Sequence, residues 1–165
     1  MPVRFTVEHL LDHSPDAVAA ALLDEKFQAS LKDLGPLAHR EILEQEERDG
    51  VVVRRIRCLL DIDISGPAKR FIGNGDPAWV ELATWDPEEL TWSWSIHPEV
   101  AGELLEAHGE TRLQPEGAQT VRAVHGEVRV KVPIYGGRVE GWIVHGLEDA
   151  YAEEAERLAE WLAAG

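Results

Sequence analysis

Apolar and polar positions alternate through most of the chain, and the period changes to three and four only in two places. Val3, Phe5 and Val7 alternate with Arg4, Thr6 and Glu8, which predicts a first strand over Val3 to Leu10. The period then lengthens. Ser14-Pro15-Asp16 combines a capping hydroxyl, a proline at the first helical position and an acid in the first turn, and Val18, Leu22 and Leu23 supply a buried face. Phe27, Leu31 and Leu34 predict a second short helix that ends at Gly35-Pro36. Alternation resumes at Ala38 and runs to Arg48, and Asp49-Gly50 predicts a hairpin with the next run, Val51 to Ile64. Trp79 to Trp85 and Leu90 to Ile96 form a second predicted hairpin over Asp86-Pro87-Glu88-Glu89. Leu104 to Leu113 and Gln119 to Val132 form a third over Gln114-Pro115-Glu116-Gly117. Ser65 to Pro77, rich in glycine and proline, reads as an irregular, mobile lid.

After Val132-Pro133-Ile134-Tyr135-Gly136-Gly137 the helical period returns. Val139, Ile143, Leu147, Tyr151, Ala155, Leu158 and Leu162 make one stripe along a single long helix. A stripe of that length has to cover something, and the strands are the only partner large enough. The pattern therefore predicts an α+β domain spanning residues 1–165, with a curved seven-stranded antiparallel sheet closed by the C-terminal helix and two short helices between strands one and two.

That element order resembles the helix-grip fold of the START-like, birch-pollen-allergen-like (SRPBCC, polyketide cyclase-like) superfamily. The segment Val132 to Glu140 is similar to the strand-to-helix junction of a bacterial domain-of-unknown-function family within it. Phe5-Thr6-Val7 with Ser14-Pro15-Asp16-Ala17-Val18 is similar to that family's opening. The resemblance implies binding of lipids, sterols, polyketides or other apolar molecules between sheet and helix. Some members act as cyclases, hydrolases or chaperone partners, and the fold by itself does not choose among these roles.

Composition narrows the classes. The net charge of −15 on 165 residues opposes binding to phosphate backbones and to anionic membranes, so no nucleic acid is expected as a partner. One cysteine, Cys58, excludes an internal disulfide framework. The sequence has no leader pattern and no long apolar run, so a cytoplasmic protein without stable membrane insertion is expected.

Strand alternation selects the candidate cavity. Leu90, Trp92, Trp94 and Ile96 share one face, expected to point at the helix, where the tryptophans serve either as walls of a ligand cavity or as plain core. The neighbouring row is Val52, Arg54, Ile56, Cys58, Leu60 and Ile62. A further row is Thr120, Arg122, Val124, Gly126, Val128 and Val130. Arg54 and Arg122 are expensive on apolar faces unless paired, so they are either anchors for an anionic head group or strand-end arginines reaching solvent. Opposite them the helix offers Trp142, at the margin of the stripe, with Ile143, Leu147 and Tyr151.

Chemistry is harder to find. His9, His13, His39, His97, His108, His125 and His145 are scattered over different elements, so no metal site is expected. No phosphate-binding loop, dinucleotide fingerprint or nucleophile elbow occurs, and no cofactor is implied. The acidic stretches Glu41 to Asp49 and Glu148 to Glu160 read as solvated faces, and the inward rows contain no converging pair of carboxylates. Cys58 reads as a small buried hydrophobe. The sequence thus favours a binder or carrier of an apolar small molecule or lipid. The alternatives are a cyclase- or hydrolase-like enzyme using a lone acid or base such as His108 or Tyr151, and an interaction module with a filled core.

Overall fold

Turn chemistry sets the hairpins in the computed structural model, which describes residues 2–60, 77–100, 102–134 and 136–165. Strand β1 (Val3–Leu11) is followed by helices α1 (Pro15–Leu23) and α2 (Glu25–Ser30). The meander comprises β2 (Leu37–Arg48), β3 (Val51–Leu60), β4 (Ala78–Asp86), β5 (Thr91–Pro98), β6 (Leu105–Glu116) and β7 (Gln119–Val130), and helix α3 (Gly136–Ala164) ends the chain. The seven strands form one sheet in the order β1-β7-β6-β5-β4-β3-β2, antiparallel at every step. Helices α1 and α2 carry the chain from one edge of this sheet to the other, and α3 packs on β1, β7 and α1. This is the α+β architecture that the periodicity predicts, in the element order that the helix-grip resemblance implies.

Local signals explain most boundaries. Ser14 caps α1, its hydroxyl accepting from the Ala17 amide at 3.2 Å. Asp24 ends α1 and starts α2, accepting from Lys26 at 2.8 Å and Phe27 at 3.3 Å. Asp49 and Gly50 both have positive φ, 52° and 83°, the pairing a two-residue hairpin turn requires.

Three expectations need correction. Helix α2 stops at Ser30, and Gly35-Pro36 instead turns the chain between Leu34 and Leu37, which bridge each other. The third hairpin turns at Gly117-Ala118, because Pro115 and Glu116 stay in register with Thr120 and Gln119. Leu90 is a turn residue with φ 52° rather than the first residue of its strand. The end of the predicted Val51 to Ile64 strand, from residue 61, and nearly all of the expected lid lie outside the described residues.

The stripe on α3 is buried where the period places it: Ile143, Leu147, Ala155 and Leu158 are buried, while Val139, Tyr151 and Leu162 are half-buried. Two contacts fix where the helix begins. A Cβ on Gly136 would sit 2.6 Å from the Val130 carbonyl oxygen, so the first helical residue has no room for a side chain. One turn later the buried Glu140 carboxylate accepts from the Val130 amide at 2.8 Å. Trp142 is 47% exposed and faces away from the sheet, since its position falls outside the arc that the stripe covers.

Leu147 and Trp142 therefore separate a core role from a surface one. Leu147→Ala is expected to destabilise by about 2–5 kcal/mol, and Trp142→Ala to stay within about 0.5 kcal/mol, in denaturant unfolding of both variants. Equal effects would mean that the helix face is misassigned.

Candidate functional site

On the inward face the strands build three successive rows. Ile56, Glu81 and Ile96 are cross-strand partners in the first. Arg54, Ala83, Trp94, Gly109 and Gly126 form the second, and Val52, Trp85, Trp92, Thr111 and Val124 the third. The glycines explain why Trp94 fits. A Cβ on Gly109 would lie 2.6 Å from its ring and one on Gly126 2.9 Å from it, so the indole occupies the space that two missing side chains leave. Phe5, also against Gly126, stands 6.4 Å from Trp94 between ring centroids.

Both arginines turn inward. Arg54 is 6% exposed and Arg122 only 1%. Arg54 donates from Nη1 to the Leu22 carbonyl at 2.7 Å, at the end of α1, and its guanidinium lies 4.3 Å from the Trp92 ring centroid. Gln28 donates to the same carbonyl at 2.8 Å and accepts from Arg40 Nη1 at 3.0 Å. Arg122 pairs with Glu154 of α3 through Nη1 and donates from Nη2 to the Tyr151 carbonyl at 2.8 Å. Burial pulls the Arg54 guanidinium down to about 10, so it keeps its proton at neutral pH.

Two small adjoining cavities lie between these groups and α3. One, of about 50 Å³, is lined by Leu22, Arg40, Arg54, Glu81, Ala83, Trp92, Trp94, Thr111, Arg122, Tyr151 and Glu154. The other, of about 30 Å³, is lined by Leu34, Leu37, Trp79, Ile96, Leu147 and Ala150, and shares Arg40, Glu81, Tyr151 and Glu154 with the first. A water needs roughly 10–15 Å³ of such space, so each cavity holds a few waters or the head of a ligand.

Glu81 sits between two isoleucines, and loss of hydration raises its carboxyl above the usual value, against the pull of Arg40 and Arg54. Burial likewise raises the Tyr151 hydroxyl well above its ordinary range, so it remains a neutral phenol. His9, paired across β1 and β7 with Arg122, is lowered by burial and then by that cation, which favours the uncharged ring. Among the lining residues, three buried nitrogens have no partner: Arg54 Nε, Trp94 Nε1 and Arg122 Nε. All three are donors.

Of the candidates read from sequence, Trp92, Trp94, Arg54, Arg122 and Tyr151 line the larger cavity, and Ile96 and Leu147 line the smaller. Val128 and Ile143 are core, and Leu60 packs half-buried against it; none of these three lines either cavity. Trp142 faces out, and Ile62 lies outside the described residues. His108 is exposed on the opposite face of the sheet, since it alternates with the buried Ala107, and so cannot serve the interior. The expectation that no carboxylates converge is also corrected, because Glu81 and Glu154 line both cavities. Arg40, Glu81, Thr111 and Glu154 are the polar lining groups that the sequence pattern does not single out. For Glu81 a signal existed: it shares the inward period of Trp79, Ala83 and Trp85.

Cys58 is fully buried, and burial pushes its thiol up to about 11, which leaves it neutral and unreactive. An aromatic disulfide reagent is expected to titrate no thiol in the native chain and one after unfolding, and fast native reaction would remove this assignment. Glu81 gives a pH prediction. Its folded carboxyl lies above the ordinary 4.5, so its contribution to stability is present below that value and is lost as the pH rises through the folded one. Unfolding measured from pH 4.5 upward is therefore expected to show a shallower decline for Glu81→Gln than for the wild type, and parallel curves would contradict it.

The fold has close structural counterparts. A protein of Thermus thermophilus aligns with a TM-score of 0.69 at 18% identity, covering 98% of both chains. The Zhui aromatase/cyclase of a Streptomyces species aligns at 0.67 and 14%, covering 99% of this chain and 94% of its own. Norcoclaurine synthase of Thalictrum flavum aligns at 0.67 and 17%, covering 100% and 88%. At these identities the likeness shows the helix-grip fold alone. No curated protein matches the chain. Among the described residues no helix is long and apolar enough to cross a membrane. Residues 6–162 match the family described as protein of unknown function (DUF2505), and to that family the chain belongs.

Proposed function

We propose that the chain binds a small organic molecule between the sheet and α3, with an apolar body and one acceptor-bearing head. The observation that supports this most is the set of three unpartnered donors, Arg54 Nε, Trp94 Nε1 and Arg122 Nε, around one cavity. A buried donor left unpaired costs about 1–3 kcal/mol. An oxygen-bearing head, or waters standing in its place, relieves three such penalties at once. Trp92, Trp94, Ile96 and Leu147 supply apolar wall around that head. As they stand the cavities are smaller than the roughly 150 Å³ that houses a benzene ring, so the body of a larger ligand enters by parting side chains on the α3 side.

A second reading has its own observation. Glu81 and Glu154 line the same cavities as Tyr151, an arrangement in which a carboxyl with raised proton affinity can act as acid or base. The aromatase/cyclase and the synthase among the structural neighbours are enzymes by name; the enzymatic reading for this chain rests on Glu81 and Glu154 rather than on them.

Native mass spectrometry of freshly purified protein, with tryptophan emission followed during titration by 1-naphthoate, 1-naphthol and 1-naphthamide, tests the binding reading. A co-purified mass or a saturable emission change is expected, weakened about tenfold in Trp94→Phe, which keeps an aromatic ring and removes the donor. Absence of any bound mass together with no saturable response to all three probes would leave the filled interaction module as the function class.

A further inference from the structure

Resting on that binding reading, we infer that the ligand is an organic carboxylate held at Arg54 and Arg40, and that it enters together with one proton taken up at Glu81. The charge distribution carries the argument. The chain has 16 basic residues against 31 acids, yet among the described residues the acids lining the two cavities with Arg40, Arg54 and Arg122 are Glu81 and Glu154 alone. Arg122 has a direct anionic partner in Glu154. Among the described residues Arg54 and Arg40 have none: Arg54 rests on the Leu22 carbonyl and the Trp92 ring, and Arg40 on the Gln28 amide oxygen. Neutral acceptors orient a guanidinium without cancelling its charge. A carboxylate is the planar anion that a guanidinium fork matches, and its oxygens suit the free donors on Arg54 and Trp94.

Glu81 then decides the proton. Its surroundings are Arg40 from β2, Arg54 and the neutral Cys58 from β3, Arg122 from β7, and Tyr151 and Glu154 from α3. His9 on β1 responds to the Arg122 and Glu154 charges at the far side. Among the described residues nothing donates a hydrogen bond to Glu81, so its ionised form depends on Arg40 and Arg54 acting through space. A ligand carboxylate takes those same two cations for itself. Two carboxylates sharing one small desolvated site cannot both stay ionised, and one of them binds a proton drawn from solvent. The net charge of the cavity is then the same before and after binding, since one anion and one proton arrive together.

The pair 1-naphthoate and 1-naphthamide, titrated from about pH 6 to about pH 8, tests this with the full chain, the upper limit lying well above an ordinary carboxyl value. The wild type is expected to bind naphthoate at least tenfold more tightly than the amide, with affinity falling as the pH rises and one proton taken up per ligand in buffers of different ionisation enthalpy. Glu81→Gln, a neutral isostere, is expected to bind naphthoate about tenfold more tightly than the wild type at the higher pH, with the pH dependence gone. Circular dichroism establishes that the variant is folded. Equal affinity for acid and amide overturns the inference while leaving the binding reading standing. So does a Glu81→Gln chain that binds no more tightly and keeps its pH dependence. If neither probe binds, the binding reading fails first and the inference with it.

Discussion

A guanidinium with 1% exposure on the inner face of a β-sheet has to find an anion or a carbonyl, and Arg122 finds both on helix α3. This tie sets the register of the helix on the sheet. Apolar packing alone tolerates sliding by a turn, whereas the fork of Arg122 accepts only the Glu154 carboxylate and the Tyr151 carbonyl one turn earlier. Replacing a buried ion pair by apolar groups is often neutral, but removing one partner typically costs about 3–5 kcal/mol. The pair therefore matters less as a source of stability than as a constraint on alignment. That alignment brings the Tyr151 ring to 5.6 Å from the guanidinium and sets Glu154 at the cavities.

At the other end of the cavity the same logic operates with neutral partners. The carbonyl of Leu22, at the negative end of α1, accepts from both Arg54 and Gln28, and Gln28 in turn receives Arg40. The short helices between β1 and β2 are thus more than a lid over apolar surface; they supply the acceptors that let two arginines remain inside. Trp94 depends on a different device, the paired glycines Gly109 and Gly126, which clear a seat for its ring and leave its indole nitrogen facing no partner. An interior organised in this way is apolar over most of the sheet face and polar where the two cavities lie.

Much of this architecture was legible because two periods settle it. A repeat of two assigns Trp92, Trp94 and Ile96 to one face, and a repeat of three and four assigns Ile143, Leu147 and Leu158 to another. Arg54 and Arg122 were readable as inward by the same count, although their partners were not. What the one-dimensional pattern lacks is register. Arg40 faces Cys58 only because β2 and β3 pair with an irregularity between Ile42 and Glu44, and no local signal specifies it. Glu154 reads as one more acid in a solvated helical stretch until the helix is laid on β7. Trp142 errs the other way: hydrophobicity suggests burial, and its angle on the helix denies it. The turn at Gly117 was misplaced because Pro115, usually a turn residue, is tolerated at a strand end.

In the proposed function, the space between sheet and helix is a polar site that receives an acceptor, not a dry core. A crystal structure at resolution sufficient to order buried waters measures this most directly. It is expected to show waters or a bound anion within hydrogen-bond distance of Arg54 Nε, Trp94 Nε1 and Arg122 Nε, with Glu81 facing the same density. Side chains closed over an empty space, or arginines turned to bring those nitrogens onto protein acceptors, would contradict it.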